Sequence, residues 1–573
     1  MFLVNPFSPM NCKLLKASFI LLLGSIFFSS CDAPQADSST ILFHNGSILT
    51  MDNGEANSFV IEGNVILEVG DLINLEAAFP NAQKYDLQGK TVLPGFVDSH
   101  THIHEFGQQK RKANIEDLLS VEEMVVELKR FFPNPQPGQW LIGQGWDEGV
   151  WATKRYPDRE LLDKAFPDNP VRLQSLHGFG GFYNGKALEI AGIDANTPDP
   201  EVGRIMRRED GTPTGVMETL AQQLVNQHIP AETVEEAKEA ILLGAEALLQ
   251  AGVTTVHEAG VSPTVLQAYM ELAEAKKLPI RVYAMLNGND DELMNEWFER
   301  GPYADPNGYL FVRSIKVFYD GSLGSRTALM AAAYSDNPKA AQMTERIRPD
   351  KVRELGKKAA ANGFQMAVHS IGDEANRRVL DLYEEALAGY ENIDHRWRME
   401  HAQVVLPSFF ERAAKGKYIS SVQSSHAVGD SKWAEDRVGN ERIKLAYAWR
   451  SIMDAGAPII LNSDLPGEPW MPVETLYFAV TRKNLAGEPA GGWYPEQAFT
   501  VMEALQAMTI TGAYAAFMEN ETGSISKGKK ADFVVVNQNP LNTPADKLKE
   551  LKVESVWIDG KEVPLKMEMI MRE

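Results

Sequence analysis

Apolar positions change rhythm twice along the chain. Over residues 41–91 they come in short β-rich runs, Ile41-Leu42-Phe43, Ser47-Ile48-Leu49-Thr50, Phe59-Val60-Ile61 and Val65-Ile66-Leu67-Glu68-Val69-Gly70, broken by Asn45-Gly46 and Glu62-Gly63-Asn64. Turn residues of that kind between strand-forming runs signal hairpins. The far end repeats the texture, with Phe533-Val534-Val535-Val536 after Gly528 and Val553-Glu554-Ser555-Val556-Trp557-Ile558 before Asp559-Gly560. Neither end holds enough strands for a sheet that is stable alone. Segments 41–91 and 522–565 are therefore predicted to join into one small β-sandwich beside a central domain, 92–521.

In that central stretch the repeating unit is a β-rich run ending in polar residues, then a segment with apolar residues at helical spacing. Candidate strands are 254–257, 280–285, 314–318, 364–369, 398–401, 418–422 and 458–464, and helical segments such as 234–251, 349–362 and 374–388 lie between or before them. Alternating β and α units imply a parallel sheet covered on both faces. With the run before His100 there are eight strands, the number that closes a barrel. The predicted class is α/β, a (β/α)8 TIM-like barrel with the β-sandwich at its side. Residues of about 105–250 exceed one crossover and carry β-like pieces of their own, around Trp140-Leu141-Ile142 and Val171-Arg172-Leu173. They read as an insertion after the first barrel strand, over the barrel mouth.

Composition narrows the classes. A chain of 573 residues, 44% hydrophobic and 23% charged, has room for a large catalytic domain and a minor one. Its formal charge of -22 disfavours nucleic acid and anionic membrane surfaces as partners, because both repel an acidic protein. At the N-terminus, Lys13 and Lys16 precede an apolar run, 19–28, that is short for a bilayer span, and Ser29-Ser30-Cys31 follows. Residues 1–31 resemble a bacterial lipoprotein signal peptide with Cys31 as the lipidated mature N-terminus, and 32–40 read as a polar tether. The expected location is the cell envelope, facing periplasm or exterior, with membrane contact only through that lipid. An uncleaved apolar anchor is the alternative. Cys12 and Cys31 are the two cysteines, so a chain cleaved at Cys31 must draw any metal ligands from His, Asp, Glu or Lys.

The strongest local signal is Leu93-Pro94-Gly95-Phe96-Val97-Asp98-Ser99-His100-Thr101-His102. A Pro-Gly turn feeds a buried strand that stops in alternating histidines, and alternation puts His100 and His102 on one face, able to grip one metal ion. Four further candidate strands end in Lys316, His369, His401 and Asp464. In a barrel such ends converge on the face where active sites of this fold sit. Taken singly, each residue has a plain structural reading: a satisfied core histidine, a loop-capping aspartate, a lysine paired with Asp320. Their joint position is what points to a site. Asp320 and Arg326 after the fourth strand, and Trp146 in the insertion, are weaker substrate-contact candidates; His257 and His426 draw no role.

These motifs, together with Ser314-Ile315-Lys316-Val317-Phe318-Tyr319-Asp320-Gly321-Ser322, Val368-His369-Ser370-Ile371-Gly372-Asp373 and Met399-Glu400-His401-Ala402-Gln403, resemble the amidohydrolase superfamily, in its exoenzyme-like branch with N-substituted formamide deformylases. The resemblance implies two divalent metal ions, zinc being the expected one. His100 and His102 would bind one ion and His369 and His401 the other. A carboxylated Lys316 would bridge them, since an unmodified ammonium cannot coordinate a cation. Asp464 would complete a shell and act as general base toward a metal-activated water. The implied reaction is hydrolysis of an amide or related C–N bond, of N-acyl or N-formyl type, in a small molecule. A mononuclear site, hydrolysis of an ester or cyclic amide, deamination, and a non-catalytic metal- or solute-binding lipoprotein stay open, as does a homo-oligomer.

Overall fold

The computed structural model describes residues 40–339, 344–390 and 392–566. The expected signal peptide and nearly all of the tether lie outside the described residues. Eight parallel strands, with the short antiparallel strand Tyr303–Ala304 beside the fourth, form the central sheet: β1 (Phe96–Thr101), β2 (Val253–Val261), β3 (Arg281–Asn287), β4 (Leu310–Phe318), β5 (Gln365–Ser370), β6 (Arg398–His401), β7 (Ile419–Gln423) and β8 (Ile459–Asn462). They neighbour one another in chain order with helices in each connection, and each falls within two residues of a run that its apolar pattern marks, β2 and β4 extending further. Strand ladders connect β1 through β8 in sequence.

The seam between β8 and β1 is closed by loop bonds just past the strand ends. Asp464 N–H donates to the His100 carbonyl at 3.0 Å and His102 N–H to the Leu465 carbonyl at 3.1 Å. Below them Asp98 accepts from the Ser463 amide at 3.1 Å and from its hydroxyl at 2.5 Å. The barrel interior is unusually polar. Arg398, Glu400, His257, Gln365, Ser421 and Asn462 are all buried, where barrels of this kind are mostly filled by Val, Ile and Leu.

The Leu-Pro-Gly turn has a steric cause. Thr91–Pro94 is a strand of a different sheet, antiparallel to Phe533–Val536 and parallel to Ser47–Leu49, and Gly95 carries the chain from it into β1. A Cβ on Gly95 would stand 2.2 Å from Thr254 Oγ1, so only glycine fits that crossing. The six-stranded sheet thus mixes strands from both ends of the chain, and it shares one core with a four-stranded sheet of 40–86. Phe43, Phe59, Phe533 and Trp557 meet there at ring-centroid distances of 4.6–5.3 Å. The fully buried pair Arg281–Asp532, at 2.7 Å, bolts β3 to this sandwich.

After His102 the helix Ile103–Lys110 runs antiparallel to Val234–Gln250. A Cβ on Gly107 would meet the Ala240 carbonyl and one on Gly244 the Ile103 carbonyl, so small residues permit the close approach. Between the two helices, a six-stranded sheet of residues 113–218 holds cores of its own. The helix Val234–Gln250 buries Ala237, Ile241, Ala245 and Leu248 in the barrel's core, so it is the first crossover helix and the inserted sheet ends before it.

Candidate active site at the barrel mouth

Six residues foreseen from the strand ends come to one place. β1 delivers His100 and, one residue beyond, His102; β4 brings Lys316, β5 His369 and β6 His401; Asp464 follows β8 by two residues. Asp464 is the hub. Its Oδ1 lies 3.3 Å from His102 Nε2 and 3.6 Å from His100 Nε2, while Oδ2 lies 3.9 Å from His401 Nδ1. Ligand atoms of His100, His401 and Asp464 all fall within 4.8 Å of one another. Lys316 Nζ stands 2.9 Å from His100 Nε2, and the rings of His369 and His401 are 4.4 Å apart.

Backbone strain collects at this spot. His401, Ala402 and Asp464 have φ of 75°, 42° and 59°, values that are costly for residues with a Cβ and that cluster at functional sites. On a regular strand the neighbours Glu400 and His401 would face opposite sides. Here Glu400 reaches His100 inside the barrel and His401 also turns inward, because the left-handed backbone at His401 and Ala402 ends the alternation.

Three of the imidazoles have a hydrogen-bond partner outside the cluster. His100 Nδ1 is 2.5 Å from Glu400 Oε2, His401 Nδ1 is 2.9 Å from Gln423 Oε1, and His369 Nε2 is 3.1 Å from the Gly321 carbonyl. Each ring donates its N–H there and keeps the lone pair of its other nitrogen for a cation, as metal-binding histidines do. Burial pushes His100 down to about 4, with Lys316 adding to it, and His369 down to about 3; burial also takes His401 well below the usual range. All three are neutral ligands near pH 7. Burial raises the Asp464 carboxyl, but the positive charge that His100, His102 and His401 carry once protonated in acid outweighs it and holds the carboxyl well below the ordinary carboxylate range, while burial lowers His102 and its bond to Asp464 more than reverses that. Neutral imidazoles around an ionised carboxylate are a donor set that fits a divalent cation.

Of the weaker candidates, Trp146 and Arg326 fall elsewhere and Asp320 lies behind His369. Trp146 is 1% exposed in the core of the inserted sheet, donating its indole N–H to the Leu173 carbonyl at 3.0 Å, because its strand alternates that ring inward. Arg326 pairs with Asp336 at 2.8 Å on a surface loop. Asp320 accepts backbone N–H groups of Leu329, Ile371 and Gly372 at 2.9–3.0 Å, stapling the loop after β4 to that after β5, and its Oδ1 stands 3.6 Å from His369 Nε2.

Sequence reasoning passed over two features. His426 Nε2 lies 3.7 Å from Asp464 Oδ2 and its ring stacks on His401 at 5.9 Å. It sits in the helix Ser424–Asp430 directly after β7, and loops and helix starts on this face of a barrel were the place to look. Arg398 and Glu400 are fully buried beneath His100; charged residues at i and i+2 of a short buried strand were their signal.

A family model described as amidohydrolase family matches residues 83–564. Protein LONG AFTER FAR-RED 3 of Arabidopsis thaliana is 32% identical, with 92% of each chain covered. The N-substituted formamide deformylase of Arthrobacter pascens is 30% identical over 91% of this chain and 97% of its own. A solved structure of an uncharacterized metal-dependent hydrolase from Pyrococcus furiosus superposes with a TM-score of 0.73 at 28% identity, covering 88% of this chain and 100% of that one. With the barrel, its strand-end histidines and Asp464 in place, the chain belongs to the amidohydrolase family.

Proposed function

We propose that this amidohydrolase cleaves an N-acyl or N-formyl C–N bond of a small molecule with a divalent metal centre, zinc being the expected ion, held by His100, His102, Lys316, His369, His401 and Asp464. The observation that carries this reading is that Asp464, after β8, meets His100 and His102 from β1 and His401 from β6, with Lys316 of β4 against His100 and His369 of β5 against His401. When bound, such an ion supplies a Lewis acid that polarises a carbonyl and makes water a stronger acid.

The chain's own groups do the rest. Asp464, ionised and facing the imidazoles, accepts a proton from the attacking water and returns it to the departing nitrogen, so that the amine leaves neutral. Lys316 is buried and burial brings its amine down to about 8, so a free amine that can add carbon dioxide exists near neutral pH. Carboxylated, it replaces a positive charge among the ligands with a negative one. The formamide deformylase among the relatives supports an N-formyl or N-acyl amine as substrate. A panel of N-formyl amines, N-acyl amines, esters and cyclic amides, assayed on metal-loaded and chelator-stripped enzyme, tests the reading. Metal-dependent release of amine is expected; ester cleavage without amide cleavage would contradict it.

A further inference from the structure

The hydrogen-bond partners behind the histidines are not equivalent. His401 is backed by the neutral amide of Gln423 and His369 by the neutral carbonyl of Gly321 at 3.1 Å, with the Asp320 carboxylate beyond hydrogen-bond distance at 3.6 Å, whereas His100 is backed by the carboxylate of Glu400 at 2.5 Å. Arg398 fixes that carboxylate from below: its Nε donates to Glu400 Oε1 at 2.6 Å and its NH2 to Oε2 at 3.1 Å, while NH2 also reaches the Ser99 carbonyl at 2.6 Å. The remaining arm, NH1, donates to His257 Nδ1 at 2.9 Å. None of these side chains is exposed, so the geometry has no freedom to rotate. An ionised carboxylate only accepts, and Glu400 Oε2 stands 2.5 Å from His100 Nδ1, so the ring proton sits on Nδ1 and the lone pair of Nε2 faces Lys316 and Asp464.

We infer that Arg398 and Glu400 are positioning residues that make the His100 side of the centre its high-affinity half. A charged acceptor behind an imidazole fixes its tautomer and orientation and raises its strength as a ligand, and a neutral acceptor does less of this. The inference rests on the metal-centre reading above and adds an order to it: the tightest-bound ion is the one that His100 holds.

The test is competition between the purified enzyme and a chromogenic chelator for zinc, with melting of the metal-free protein measured alongside. Glu400→Gln is expected to weaken the tightest site by about 10- to 100-fold, and Gln423→Ala to weaken it much less. Because Glu400→Gln strands the buried Arg398 charge, the double variant Arg398→Met with Glu400→Gln is measured as well and should show the same loss. Should neither fold, 15N-histidine spectra of the metal-free wild type, with His100 identified by its absence in His100→Ala, must show the proton on Nδ1. Wild-type zinc affinity in either folded Glu400 variant, an equal loss in Gln423→Ala, or a proton on Nε2 of His100 overturns the inference. Wild-type affinity in His100→Ala would instead remove the metal-centre reading itself.

Discussion

The amide of Asp464 donates to the carbonyl of His100 at 3.0 Å, across the seam where the last barrel strand meets the first. The two residues that begin and end the ligand set in sequence are therefore joined through their backbones, and the distance between their side chains is set by barrel closure. Asp98, two residues before His100, accepts from both the amide and the hydroxyl of Ser463 and reinforces the same seam. The aspartate in the Val-Asp-Ser-His-Thr-His run thus has a structural task.

Asp98→Ala tests that task. It leaves two buried donors of Ser463 without an acceptor, at a cost of about 1–3 kcal/mol for each unsatisfied group, read by denaturant unfolding. Metal content after reconstitution should fall with it, while Asp98→Asn, which keeps an acceptor oxygen, should lose less of both.

The bolt between barrel and sandwich is a stability prediction remote from the site. Asp532→Ala removes the carboxylate that Arg281 engages at 2.7 and 3.1 Å and leaves a buried guanidinium with Asp559 as its remaining anion. A loss of about 3–5 kcal/mol is expected, as for other broken buried pairs. Unfolding curves check this, and zinc stoichiometry of the folded fraction should be unchanged.

Lys316→Ala should lower metal occupancy and turnover together, because the proposed bridge is gone. Short carboxylic acids should restore part of both in the variant, because their carboxylate can stand where the carbamate stood. In wild-type enzyme stripped of metal, bicarbonate should raise zinc uptake; uptake indifferent to bicarbonate would argue against carboxylation.

Lipid attachment at Cys31 is proposed from Ser29-Ser30-Cys31 after the apolar run 19–28. Wild-type protein should partition into detergent and take up labelled fatty acid, and Cys31→Ser should take up none. Equal labelling of the two would remove the lipoprotein proposal and leave the barrel chemistry untouched.

Much of the fold was legible because the barrel strands are short apolar runs, five of them with their chemistry at or near one end. His100, Lys316, His369 and His401 announce the strands that carry them, and Asp464 stands two residues beyond its own. What stayed hidden depends on departures from local rules. Glu400 and His401 are neighbours that both face inward, which period-two alternation forbids and a φ of 75° at His401 permits. His426 lies on a helix, where no strand pattern marks it, and it meets Asp464 only through tertiary packing. Trp146 shows the converse: a polar-flanked aromatic in an insertion reads as a pocket wall, yet its strand turns the ring into that insertion's own core.

The central claim is that the strand-end cluster is a hydrolytic metal centre in which Asp464 carries the proton. Its most direct test is turnover and metal content measured on the same preparation of Asp464→Asn, using whichever amide the substrate panel identifies. Asparagine keeps the side chain's size and one oxygen toward the imidazoles but cannot take up the proton. The rate should fall by at least about 100-fold while most of the metal stays bound. Near-wild-type turnover in that variant, or a wild-type enzyme that binds no zinc, manganese or cobalt in stoichiometric amount after reconstitution, would contradict the account.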